Sequence, residues 1–528
     1  MKHSSVELND LPDEILMLIL KKLYNVQVLY SLIGVNKRLN KFVHDSIFTS
    51  HLTLMRCFLD DTIDPLPDPI LDRFCLQILH EIHHKIQWLN LESSSMKRIL
   101  LATNYPNLFG LGLFDIEIET ALSLFIDESC LTSLNRNQIT SLLVDITKYE
   151  KIISSNDTNI RIFTYIFTMF SNLQYLNFCP SSILHHRLFF YNLYPGINSS
   201  TLLELHICLK RFSDCLYILD GRFNKLHTLY VDIYFISSSD LINNKQEKLP
   251  DLKCFSLYCG MATDAYNKLI VPFLQGMSNL EKLCLNVICG TNTFLDGNEL
   301  KQNIINHMPR LERFEFYICS AIYLRNQIYL PSKEDIQHTF RDFKDDQVIS
   351  YVDYFQEESY SLCHIYLYPG QLKYYHTVTN NFPGGLFTCV REISLYDERP
   401  FEHEFFLRIA ESFPILKKLH LKNSKPQNNK LYTESKHDNQ GFSIIKYPYL
   451  TNLTLYFAHD DYIEEFLIDT KICLPDNALH LNIDYEQLNR VTDNFTRDIT
   501  RINCAKLTSL CLNGRRLPNY AKDYFPHV

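Results

Sequence analysis

Two hydrophobic periodicities run along this chain. In residues 8 to 43 the apolar positions follow a helical spacing. Ile15, Leu18, Ile19 and Leu23 form one stripe, Val28, Leu29, Leu32 and Ile33 a second, and Leu39, Phe42 and Val43 a third. Pro12 suits the first helical position, and Asp13 and Glu14 place negative charge at the positive end of that helix. Three short helices in roughly 40 residues make a poor free-standing core, so the module is expected to bury spare apolar surface against something else. Beyond residue 85 the pattern becomes apolar-x-x-apolar-x-apolar. Copies begin at Leu108, Leu173, Leu202, Leu226, Leu252, Leu280, Leu311, Leu416, Leu450 and Leu507, with softer ones at Ile86, Ile139, Leu362, Val390 and Ala478. Their mean spacing is about 30 residues, the period of a solenoid.

A second signal precedes many copies: a bulky apolar residue, then Pro or Ser, then any residue, then Leu. Tyr105-Pro106, Phe170-Ser171, Leu249-Pro250, Met277-Ser278, Met308-Pro309, Phe413-Pro414 and Tyr447-Pro448 are examples. Proline just past a helix cannot continue it and helps define the exit into a strand. Upstream segments have helical stripes, such as Phe406, Ile409, Ala410 and Phe413, or Leu300, Ile304, Ile305 and Met308. Each unit is therefore helix, tight exit, short strand, and stacked units share one core. The longest interval, 311 to 362, has a helix start at Ser332 to Asp335, a stripe of Ile336, Phe340 and Phe343, and an extra strand over Val348 to Phe355. It is either a degenerate repeat or an insertion reaching over the binding face.

Composition narrows the function classes. The chain has 528 residues, 46% hydrophobic and 21% charged, the balance of a folded soluble protein. With 14 Gly and neither Gly-x-x-x-x-Gly-Lys nor Gly-x-Gly-x-x-Gly, it carries no phosphate-loop motif. A net charge of −9 argues against a nucleic-acid surface. Asp10, Asp13 and Glu14 interrupt any signal-peptide layout, and no run reaches a membrane span of about 18 residues. A cytoplasmic or nuclear protein is expected. The 16 Cys are scattered without Cys-x-x-Cys, as buried reduced thiols would be. His83-His84 and His185-His186 are adjacent pairs whose side chains diverge on a helix, so no metal site is read. His403-Glu404 reads as an exposed helix face. No cysteine sits in a basic, helix-starting context that would activate its thiol. No catalytic residue, cofactor or metal follows.

The N-terminal segment resembles the F-box. Leu11, Pro12, Glu14, Ile15, Leu16, Ile19 and Leu23, followed by Val35, Asn36, Lys37, Arg38, Leu39 and Phe42, match its pattern; Leu39 stands near the place of a Trp often found in the third helix. The remainder resembles an irregular leucine-rich repeat. That family continues to an Asn or Cys three places after the last apolar position. Here the place holds Cys319 once, but Gly260, Ile288 and Ala458 elsewhere. The usual Asn ladder is largely absent, and the loops must satisfy their backbone groups differently.

The resemblances imply an α/β chain: a three-helix F-box over 6–50, a junction with a helical segment over 51–85, a horseshoe solenoid over 86–514 with parallel strands inside and helices outside, and a tail over 515–528. Other αβ solenoids are the runner-up architecture. The acidic junction from Asp60 to Asp72 is stiffened by Pro65, Pro67 and Pro69. They also imply a substrate receptor of an SCF-type ubiquitin ligase. Its F-box would bind a SKP-type adaptor, and through it cullin, using Leu11, Pro12, Ile15, Leu16 and Ile19 at or beneath the interface. Strand alternation points the third, fifth and seventh pattern positions to the concave side. The seventh is Tyr258, Tyr317, Tyr368, Tyr396 and Tyr456 in five units, so a Tyr-rich face would take an unidentified substrate protein. A structural tyrosine ladder is the plain alternative. An interaction scaffold without a ligase role, or an enzyme in an irregular αβ domain, are the competing functions.

Overall fold

The computed structural model describes residues 11–58, 62–126, 131, 134–146, 156–178, 187–190, 196–240, 251–324, 331–341, 343, 347–368, 372, 374–429, 443–476 and 479–528. Residues 8–10 of the opening, Asp60, the His185-His186 pair, Leu249-Pro250 and Ala478 lie outside the described residues. The chain divides into two compact units, Met1–Val287 with Asn303–Phe314, and Ile288–Gln302 with Glu315–Val528.

The first unit opens with three helices, α1 (Asp13–Leu20), α2 (Asn25–Leu32) and α3 (Lys37–Val43). Pro12 occupies the cap of α1 rather than its first turn, with Asp13 and Glu14 in that turn. Asn36 caps α3 by accepting a hydrogen bond from the Leu39 N–H at 2.8 Å. The core of this module is Leu16, Leu20, Val28, Leu29, Ile33, Leu39 and Val43.

The segment 51–85 is bound into the fold. β1 (His51–Thr53) pairs in parallel with β2 (Trp88–Glu92). Between them, Ile63–Pro65 pairs antiparallel with Met55–Cys57, and Asp68–Arg73 is helical. There follow β3 (Gly110–Ile116), β4 (Ser141–Ile146), β5 (Tyr175–Phe178), β6 (Glu204–Arg211), β7 (Thr228–Phe235), β8 (Cys254–Thr263) and β9 (Lys282–Gly290), lying side by side in chain order. Pairing is parallel from β1 through β8. Fourth pattern positions stand in register: Leu111 opposite Leu142, then Leu176, Leu205, Leu229 and Phe255. All are fully buried. Each such side chain contributes about 1.5–3 kcal/mol of burial. A parallel sheet built in chain order is the arrangement of an αβ solenoid.

The residues before many copies form a turn. The carbonyl of the bulky residue accepts the N–H of the pattern Leu three places on: Tyr105 to Leu108, Phe170 to Leu173, Met277 to Leu280, Met308 to Leu311, Phe413 to Leu416 and Tyr447 to Leu450, at 3.0–3.3 Å. Pro106, Pro309, Pro414 and Pro448 thus hold the second turn position, where a fixed φ is favourable. The backbone also links each repeat to the next. One carbonyl just ahead of each strand accepts two N–H groups from the next repeat. Gln87 O accepts from Phe109 and Gly110, Phe109 O from Thr140 and Ser141, Thr140 O from Gln174 and Tyr175, and Gln174 O from Leu203 and Glu204. The series continues through Leu203, His227, Lys253 and Glu281, and it starts at Ser50 O, which accepts from Gln87 and Trp88 at 2.8 and 2.9 Å. A carbonyl has two lone pairs, and here both are used.

The second unit begins differently. β10 (Arg313–Tyr323) pairs antiparallel, from Tyr317 onward, with β12 (Tyr360–Tyr368), which pairs antiparallel with β11 (Gln347–Phe355). The Leu362 copy is therefore not a repeat: its strand runs against the series. The expected extra strand exists as β11, and Ser332 and Asp335 cap the expected helix reciprocally. Parallel stacking resumes in a separate sheet of β13 (Tyr374–Val378), β14 (Glu392–Tyr396), β15 (Lys418–Lys422), β16 (Asn452–Thr454), β17 (Leu479–Asn482) and β18 (Leu507–Cys511). Its outer helices include α4 (His403–Ser412), α5 (Asp460–Leu467) and α6 (Tyr485–Val491). The carbonyl device recurs: Arg391 O accepts from Lys417 and Lys418, and Lys417 O from Thr451 and Asn452.

Candidate interaction surfaces

α1 turns its longer apolar stripe to solvent. Leu16 and Leu20 are buried at 0% and 2%, whereas Ile15, Leu18, Ile19 and Leu23 are 44%, 60%, 41% and 47% exposed. Of the residues expected at an adaptor interface, Ile15, Ile19 and Pro12 are thus exposed, Leu11 is half-buried, and Leu16 belongs to the core beneath. Arg38 on α3 holds the start of α1, donating to Leu11 O at 2.5 Å and pairing with Asp13 at 2.6 Å. The module is also tied to neighbouring parts of the first unit. Asn25 donates to Ile47 O and His51 O, Arg73 to Ile33 O, and Lys85 to His44 O, at 2.9–3.2 Å. The exposed helix therefore sits on a fixed base.

The outward face of the first unit's sheet is aromatic at third and fifth pattern positions. His206 stacks on Tyr230 at 4.2 Å and 19°, meets Tyr175 at 5.4 Å, and pairs with Glu204 at 2.7 Å. Tyr230 is 38% exposed, and burial pushes its hydroxyl up to about 12. Tyr175, at a third pattern position, is the member that a search for seventh-position tyrosines passes over. Trp88 lies across Gly110, where an added Cβ would meet its ring at 1.9 Å, and donates to Asn90 Oδ1 at 2.6 Å. Tyr258 is half-buried and reaches over Gly260.

In the second unit the four expected tyrosines do not share one environment. Tyr317 is 1% exposed, so it is not a surface residue. The antiparallel strands cover it, and its hydroxyl donates to His376 O at 3.0 Å. Tyr368 is half-buried, and its hydroxyl accepts from Leu386 N–H at 3.0 Å. Tyr396 bonds Glu358, and Lys422 lies 5.0 Å over its ring. Tyr456 bonds Asn513 and stands beside Phe457, which is 74% exposed. Phe457 escapes the alternation rule because it lies in a turn beyond β16.

Two buried polar clusters bear on chemistry. Cys319, His364 and Asp353 are close together, yet His364 Nε2 faces both the thiol at 3.8 Å and the carboxylate at 3.9 Å. A nucleophile relay requires the two ring nitrogens to face opposite partners. Burial lowers His364 to about 3 and raises the Cys319 thiol well above its usual range. This cluster is built as core. His403 is likewise buried, not on an exposed face. Its partner is Glu465 at 2.6 Å, which Lys471 also approaches at 3.3 Å, and the hydrogen bond to Glu465 raises the His403 pKa. Among the described residues no group of three His, Cys, Asp or Glu is placed to hold a metal ion, and no helix is long and apolar enough to cross a membrane.

No protein-family model matches the sequence, and no curated protein does. Among solved structures, the chain is similar to "Crystal structure of Rad7 and Elc1 complex in yeast", over 82% of this chain and 92% of that one, with 13% identity and a TM-score of 0.28.

Proposed function

We propose that this chain is a non-catalytic substrate receptor. Its α1 face docks a SKP-type adaptor, the adaptor brings cullin, and the outward face of the repeat strands selects a target protein for ubiquitin transfer by other subunits. The observation that carries this reading is the exposed stripe of Ile15, Leu18 and Ile19, continued by Leu23 just past the helix, on an α1 whose own core contribution is Leu16 and Leu20. Covering side chains about half exposed gains about 1 kcal/mol each, enough to anchor a partner. The fixed base under α1 favours proximity chemistry, because a receptor must hold its target at a defined place relative to the docked machinery.

The test is capture of a purified SKP-type adaptor by the full chain and by Ile15→Asp with Ile19→Asp. Both positions are exposed, so the double variant keeps its unfolding midpoint. Adaptor affinity should fall at least about 100-fold. A wild type that captures no adaptor, or a double variant that captures it equally, removes the reading. Co-purification of cullin separates a ligase receptor from an interaction scaffold.

A further inference from the structure

Twice in the second unit the chain fills an aromatic–carboxylate pair with a cation of its own. Lys422 lies 5.0 Å over Tyr396 and 3.8 Å from Glu358. Arg515 lies 5.4 Å over Tyr485 and 2.5 Å from Glu486. A cation over a ring face gains from the ring quadrupole, and a carboxylate at its edge adds a charge-assisted hydrogen bond.

The cleft beside β16 and α6 has the same aromatic and carboxylate parts, and its lining cation, Arg490, is paired with Asp460 rather than laid on a ring. Tyr456 and Phe457 stand side by side, ring centroids 6.3 Å apart, and with Asp484, Glu486, Gln487, Arg490 and Asn513 they line an open cleft. Its other charges are engaged. Arg490 makes two hydrogen bonds of 2.9 Å to Asp460, and Glu486 is held by Arg515. Asp484 accepts from the Glu486 N–H at 3.0 Å and from Asn513 at 3.5 Å; it lies in the field of Arg490, but among the described residues no cation comes within 4 Å of it. No described cation lies over Tyr456 or Phe457. Phe457 adds an independent sign: its φ is +58° and its ring is 74% exposed. A bulky residue held in the left-handed region with its ring in water gains nothing from packing that would offset the strain, and such residues collect at binding sites.

We propose that this cleft receives an arginine side chain of a partner protein, its guanidinium laid on the exposed Phe457 ring beside Tyr456 and hydrogen-bonded to Asp484. This deepens, and rests on, the reading of the repeats as a partner-binding surface. Arginine suits the cleft better than lysine because a planar guanidinium stacks on a ring while donating in its own plane.

The experiment uses the full chain and the peptide acetyl-Gly-Ser-Arg-Ser-Gly-amide carrying a benzophenone beside the arginine. Photo-crosslinks are mapped by mass spectrometry and compared with the citrulline and lysine peptides. Labelling should fall on 456–457 and 484–490. It should drop about tenfold with citrulline, which keeps the shape and loses the charge. Phe457→Gly removes the ring and relieves the positive φ, and Asp484→Asn keeps the acceptor for Glu486 N–H. Both should fold and both should lose labelling. Citrulline labelling equal to arginine, or unchanged labelling in both variants, overturns the proposal; lysine labelling equal to arginine overturns the stacked guanidinium. Adaptor capture by the same variants should stay at the wild-type level. Arginine labelling in a chain that captures no adaptor upholds the cleft while removing the receptor reading.

Discussion

Ile19 on α1 and Leu229 on β7 both belong to regular apolar series, yet Ile19 is 41% exposed and Leu229 is fully buried. The difference lies in what surrounds each element. β7 has a parallel strand on either side and the helix Phe212–Ile218 packed against it, and its fourth position is closed from solvent. α1 has 8 residues and packs on its own small module along one line, Leu16 and Leu20. Its Ile15, Leu18 and Ile19 are left 44%, 60% and 41% exposed. Apolar spacing identifies the element; exposure identifies which of its faces the fold leaves uncovered.

Leu229→Ala breaks this comparison most directly. It removes buried methyl groups from a closed row and should cost about 2–5 kcal/mol, read as a lowered denaturation midpoint. Ile19→Ala should cost no more than about 0.5 kcal/mol while weakening adaptor capture. Equal costs would mean that α1 is ordinary core.

Burial also predicts a response to pH. Asp353 is buried, bonded to Thr379 and Asn381, and burial raises its pKa from 3.8 to about 6. A raised carboxyl pKa means that the folded state holds its proton more tightly than the unfolded state. The resulting stability is fully present below 3.8 and is lost as pH rises through about 6. Its size is at most about 3 kcal/mol. Urea titrations at steps between pH 4 and 7 should show this slope in the wild type and a flatter one in Asp353→Asn. An unchanged slope would place the titration elsewhere.

The smallest effect concerns Gly110. A methyl group there meets the Trp88 ring at 1.9 Å, but the indole can swing off the sheet, so Gly110→Ala should cost about 1 kcal/mol or less. Trp88 is the chain's single Trp, and its emission should move to the red. Unshifted emission would mean that the ring does not lie on Gly110.

Much of the strand layout was legible in the sequence. The spacing of the copies locates most strands, and the bulky residue before Pro or Ser marks a hydrogen-bonded turn at Leu108, Leu173, Leu280, Leu311, Leu416 and Leu450. What stayed hidden has physical causes. The Leu362 copy has the right apolar spacing, but spacing is the same in parallel and antiparallel strands, so the reversal at β12 leaves no trace. That reversal buries Tyr317 among strands where alternation alone leaves it outward. His403 follows Glu402 and precedes Glu404, yet its partner is Glu465 on α5, far along the chain. The side of α1 that meets its core, Leu16 and Leu20, competes in the sequence with a longer stripe that does not. Phe457 owes its place to a turn dihedral that composition does not record.

The paired-acceptor carbonyls stitch each repeat to the next through atoms that every residue possesses. Gln87, Phe109, Thr140, Gln174, Leu203, His227, Lys253 and Glu281 occupy equivalent stations with unlike side chains. Those stations can therefore take new side chains without loosening the joints between repeats. The spine of the repeats, from Ser50 onward, is thus written in backbone atoms and stays the same whatever letters stand at these stations.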